Sequence, residues 1–123
     1  VDALGVVYKG NKLLIKKKKI DGFFSENIEP LSRHSYLSSF DGKDRKEKLL
    51  NLIKYLNNRI GGWGGAYSFC DVGDLYKNLD DKIAQRFRTL FGNLHYGVDL
   101  QRYFLARVKK FSSIRLRQIN YYG

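Results

Sequence analysis

Apolar residues recur at helical spacing in three stretches of this chain and sit in short alternating runs near its two ends. In "DGKDRKEKLLNLIKYLNNRI", residues 41–60, Leu49, Ile53, Leu56 and Ile60 share one helical face, and cations cover most of the rest. Asp41 is the expected cap, with Asp44 in the first turn facing the positive end of the helix dipole. A second helix is predicted over "DLYKNLDDKIAQRFRTLF", ending at Gly92, with Leu75, Leu79, Ile83, Phe87 and Leu90 as its stripe and Asp71 or Asp74 as its cap. "VDLQRYFLARVKKF" is the third, with Leu100, Phe104, Val108 and Phe111 on one side.

The ends read differently. "LGVVYKGNKLLI" predicts a β-hairpin turning at Gly10-Asn11, a dipeptide that tolerates the positive φ of a tight turn. The run Lys16 to Lys19 follows directly, which places the second strand at a sheet edge where lysines discourage aggregation. At the other end, "SSIRLRQINYYG" alternates Ile114 and Leu116 with Arg115 and Arg117, as a half-buried strand does. From Asp21 to Phe40 periodicity is lost, and Pro30 with its neighbouring serines indicates loop or short irregular elements.

Between the first two helices lies "RIGGWGGAYSF", which sets the only tryptophan, Trp63, between two glycine pairs. Gly61-Gly62 stands where a helix C-terminal glycine is expected, so the stretch is read as a tight corner plugged by Trp63. "AYSFCDV" after it is read as a short strand. A nucleotide loop is excluded, because neither a third glycine at dinucleotide spacing nor a Gly-Lys-Ser/Thr follows. These elements predict one α+β domain spanning residues 1–123: an N-terminal hairpin and a C-terminal strand in a small antiparallel sheet, packed on about three helices.

Composition turns this fold toward a partner. Lysine and arginine number 23 against 12 aspartates and glutamates, a formal net charge of +11. Such an excess repels itself and suits a polyanionic partner, with nucleic acid first. No apolar run approaches the about 18 residues of a membrane span, so no membrane partner is expected. Cys70 is the only cysteine, which excludes an intrachain disulfide and suits action in a reducing compartment such as the cytoplasm. The sequence starts at valine and has no methionine, which leaves a trimmed chain and release from a larger precursor equally open.

The cations are unevenly placed. Residues 100–123 contain Arg102, Arg107, Lys109, Lys110, Arg115 and Arg117 without one acidic residue, interleaved with Tyr103, Tyr121 and Tyr122. Cations that neutralise phosphates beside rings that stack on bases are what RNA or single-stranded DNA requires. The leading expectation is therefore nucleic-acid binding, RNA before DNA, through Lys16, Lys18, Arg102, Lys109, Lys110, Arg115 and Arg117 with stacking on Tyr121.

Two other readings stay open. His34 and His95, with Tyr96 beside the second, supply the acid and base of a small metal-independent ribonuclease, a chemistry used by toxin domains, if the fold brings them together. The basic surface equally suits an acidic protein partner. No metal-type Cys/His spacing is present, and no cofactor is expected.

Overall fold

The computed structural model describes residues 5–39 and 44–115. Asp41, Leu116, Arg117, Tyr121 and Tyr122 therefore lie outside the described residues. The fold is mostly helical with one small antiparallel sheet, which fits α+β in its broad sense.

Strands β1 (Val6–Lys9) and β2 (Lys12–Ile15) form the expected hairpin, in the register Val6 with Ile15 and Lys9 with Lys12. Gly10 takes φ 62 while Asn11 stays at negative φ, the pattern of a turn whose first central residue is glycine. The hairpin is tied to the helices through one residue of β2. The Leu13 N–H donates to an Asp71 carboxylate oxygen at 3.0 Å, and the Asp71 N–H donates back to the Leu13 carbonyl at 2.8 Å. Asp71 thus serves the sheet edge rather than a helix cap, and the residues after α3 form turns, not the expected strand.

The lysine run is not strand either. Lys16 precedes and Lys17 opens helix α1 (Lys17–Phe23), because Ile20, Phe23 and Phe24 have helical spacing and Phe23 is buried. A π-helical turn (Phe24–Ile28), a 3-10 turn (Pro30–Ser32) and the single-turn helix α2 (His34–Leu37) follow, so this stretch is short helical pieces. Ile28 and Leu37 anchor it in the core.

The three long helices are α3 (Arg45–Ala66), α4 (Gly73–Asn93) and α5 (Val98–Arg107). The α3 stripe is the predicted one, with Leu49, Ile53, Leu56 and Ile60 all buried; on α4 Leu79, Ile83 and Phe87 are buried with Tyr76 and Phe91, whereas the expected Leu75 and Leu90 are half-buried. Two boundaries move. Helix α3 does not end at Gly61-Gly62 but runs through the whole glycine stretch, and α5 stops at Arg107, short of the expected Phe111. Phe111–Ser113 is a 3-10 turn, so the first residues of the expected C-terminal strand are not strand, and the sheet has two strands among the described residues.

The glycines are helical because the segment after α5 crosses α3 on their face. A Cβ on Gly64 would collide with Ile114 Cδ1 and come within 3.0 Å of the Phe111 ring, and one on Gly61 would touch the Lys109 stem at 3.6 Å. Gly62 and Gly65 have open space beside them. Close approach at Gly64 outweighs the roughly 1 kcal/mol that a glycine costs a helix, while the contact at Gly61 is an ordinary one. Trp63 does fold onto the core as expected, with its ring 5.0 Å from Phe23 and 6.0 Å from Phe111.

The end of α3 leaves carbonyls without intrahelical partners. Ser68 Oγ donates to the Gly65 carbonyl at 2.8 Å, and the buried Tyr76 hydroxyl donates to that of Gly64 at 2.6 Å. Tyr76→Phe strands that buried carbonyl and is expected to cost about 1–3 kcal/mol in urea unfolding at neutral pH. Burial, and then the nearby Cys70, push the Tyr76 phenol well above its ordinary value near 10. A folded-state value above the unfolded one stabilises below about pH 10 and is lost as pH rises beyond it, because only the unfolded chain ionises readily there. An alkaline unfolding series should show this decline in the wild type and a shallower one in Tyr76→Phe.

Candidate nucleic-acid interface

The segment from Val108 to Arg115 is a strap laid over α3 and α4, and it carries the cations that the sequence singled out. Its inner side is apolar. Phe111 is fully buried, with its ring 5.1 Å from Tyr76 and 5.6 Å from Phe23, and Ile114 packs at Gly64. Its outer side displays Lys109, Lys110 and Arg115, all exposed.

The strap's backbone is satisfied by side chains of the helices beneath. Asn57 Nδ2 donates to the Arg107 carbonyl at 3.0 Å, and Asn57 Oδ1 accepts from the Lys109 N–H at 2.6 Å. The Asp80 carboxylate accepts from the N–H groups of Phe111 at 2.5 Å and Ser112 at 3.0 Å, capping the 3-10 turn. These bonds replace helical ones, and they explain why α5 ends at Arg107.

Two clefts flank the strap. One, of about 680 Å³, has Lys54, Arg107, Lys109 and Lys110 in its lining together with Asn57 and Asn58 and, among the described residues, no carboxylate. The other, of about 940 Å³, adds Lys77, Arg88 and Arg102, along with Asp80 and Asp81. Lys109 and Lys110 belong to both, so the cations form one tract from α3 across the strap to α4 and α5.

Of the residues expected to bind phosphate, Arg102, Lys109 and Lys110 come together in this tract. Lys16 and Lys18, at the start of α1, line neither cleft. Arg115 is exposed at the far end of the strap, and Arg117 and Tyr121 lie outside the described residues. Sequence reasoning missed Lys54, Lys77, Arg88 and Arg107 as site residues. They sit on three different helices, and no periodicity joins them.

Tyr103 is not a bare platform. The Arg107 guanidinium carbon stands 3.7 Å from its ring centroid and Lys46 Nζ 5.2 Å from it, as cation–π contacts do. Tyr55 carries Arg59 in the same way at 4.9 Å.

His34 opens α2 and is exposed, while His95 follows the end of α4 at φ 59 and is also exposed. Neither ring makes a hydrogen bond or ion pair among the described residues, with the other or with anything else. Tyr96 is buried, its hydroxyl donating to the Leu37 carbonyl at 2.9 Å and its ring stacked on Phe91 at 5.0 Å. Burial raises its phenol, partly opposed by Arg45, whose guanidinium carbon lies 4.6 Å from the ring centroid. The Tyr96 hydroxyl thus joins α2 to the turn before α5. Cys70 is buried, and its thiol is pushed up by burial and by Asp71. Among the described residues no group of three or more His, Cys, Asp or Glu is placed to hold a metal, and no helix is long and apolar enough to cross a membrane.

Comparison with known proteins finds no family model, no curated protein and no solved structure that matches this chain.

Proposed function

We propose that this domain binds nucleic acid, RNA before DNA, by neutralising phosphates along the cationic tract around the strap. The observation that carries this reading is the cleft whose lining holds Lys54, Arg107, Lys109 and Lys110 and, among the described residues, no carboxylate. Four like charges around one groove repel one another, and a phosphate backbone relieves that repulsion by releasing its own counterions. The net charge of +11 supplies the long-range attraction. Stacking on Tyr121 and contacts from Arg117 belong to the same reading.

Fluorescence anisotropy with a labelled single-stranded RNA, read across a salt series, tests it. The wild type should lose affinity steeply with salt. In Arg107→Ala/Lys109→Ala/Lys110→Ala the slope of log affinity against log salt should shrink by about 2, at roughly 0.7 per single-strand phosphate contact. Unchanged affinity and slope in that variant would remove the tract from any binding role. RNA cleavage in EDTA that vanishes in His34→Ala/His95→Ala would instead make the protein a ribonuclease, and an acidic protein captured by the tract with no RNA affinity would make it a protein binder.

A further inference from the structure

The strap that carries Lys109 and Lys110 lies outside α5 and the sheet, and its one regular turn, Phe111–Ser113, begins only after the two lysines. A free segment of this length would spread its cations over many positions and bind a polyanion with a large loss of conformational freedom. Phe111 seats the strap in the core, and two polar side chains fix its backbone around the lysines. The Asn57 carboxamide takes the carbonyl and the N–H on either side of Val108, as an adjacent strand would, and the Asp80 carboxylate takes two successive N–H groups after Lys110. One clamp is on α3 and the other on α4, and the two lysines lie between them. Asn57 also lines the carboxylate-free cleft, and Asp80 the neighbouring one.

The geometry points to Asn57 and Asp80 as positioning residues for the phosphate-binding tract: they hold the strap so that Lys109 and Lys110 face one backbone together. This rests on the nucleic-acid reading above. It makes a demand that charge alone does not. Asp80 is an acid beside a cationic cleft, so simple electrostatics has its removal strengthening the grip on a polyanion. Positioning has the same removal weakening it.

The test uses the whole chain and a fluorescein-labelled oligouridine of about 20 nucleotides, longer than most single-strand sites. Wild type, Lys109→Ala/Lys110→Ala, Asn57→Ala, Asp80→Asn and Asp21→Asn are titrated across a salt series. Asn57→Ala changes no charge, and Asp21, exposed on α1, lines neither cleft beside the strap. Asn57→Ala and Asp80→Asn should each bind several-fold more weakly, with the salt slope lowered by about 1, whereas Asp21→Asn should bind as well as wild type or better. Hydrogen exchange at the Lys109 amide should quicken in Asn57→Ala while amides within α3 and α4 keep their protection.

Wild-type affinity or tighter in both clamp variants, with the lysine pair still needed, overturns the positioning role and leaves nucleic-acid binding intact. Absence of salt-dependent binding by the wild type overturns both. Should Asp80→Asn fail to fold, Asn57→Ala decides, since its two hydrogen bonds to the strap are exposed to solvent.

Discussion

Replacing Phe111 by alanine should lower the free energy of unfolding by about 3–5 kcal/mol, the usual loss for a fully enclosed aromatic ring. The ring is 0% exposed and is met from three sides, by Phe23 at the end of α1, Trp63 on α3 and Tyr76 on α4. No other side chain of the strap is as deeply placed, because Val108 and Ile114 are only half-buried. Truncation therefore leaves a cavity at the meeting point of three helices, and little nearby can collapse into it. Domains of this size commonly hold about 5–15 kcal/mol in total, so the variant should be close to the limit of folding. Urea denaturation followed by Trp63 fluorescence is the measurement, and the midpoint should fall while the slope with denaturant stays constant. Phe111→Leu keeps most of the volume and should cost less than about 1.5 kcal/mol. A loss below about 1 kcal/mol in Phe111→Ala would mean that the strap does not dock through this ring.

Phe111 also marks where the sequence was legible and where it was not. The hairpin was readable because Gly10-Asn11 is a local signal, and β1 pairs with β2 across it in the only register that buries Val6 against Ile15. The stripes of α3 and α4 were readable because each helix shows one face to a core. Phe111 fits a helical stripe with Phe104 by its spacing, yet Asn57 and Asp80 hold the chain out of that helix from 50 and 31 residues away. A long-range side-chain clamp has no signature within a local window, so the strap was invisible. The lysine run misled for a related reason: four cations hid the helical spacing of Ile20, Phe23 and Phe24 immediately behind them.

The cationic tract was half legible. Arg102, Lys109 and Lys110 stood out because an acid-free segment is a one-dimensional feature, whereas Lys54 and Arg88 join them only through packing. His34 and His95 were notable for being the only two in the chain, and rarity says nothing about proximity. Tyr96, chosen as their neighbour in sequence, is spent on holding α2 through the Leu37 carbonyl.

The same substitution at two neighbouring glycines should have opposite signs, and this follows from the reading of "GGWGG" as a helix face shaped for the strap. Leucine is a good helix former, so exchange of a helical glycine for leucine gains up to about 0.8 kcal/mol where nothing obstructs it. Gly62 is exposed with nothing within 4 Å of an added Cβ, and Gly62→Leu should be stabilising. At Gly64 the added atoms meet Ile114 and the Phe111 ring. Ile114 can turn aside, being half-buried, but Phe111 is enclosed on every side and cannot move without leaving the core. Overpacking of this kind costs about 1–3 kcal/mol when the surroundings yield and more when a docked element is expelled. Gly64→Leu should therefore lose about 3 kcal/mol, with the strap lifted from α3 and the Tyr76 hydrogen bond to the Gly64 carbonyl disturbed as well. Paired thermal melts of the two variants settle the matter. If both glycines were merely a helix stop, both leucines would extend the helix and neither would unseat the strap, so equal gains in stability would contradict the crossing.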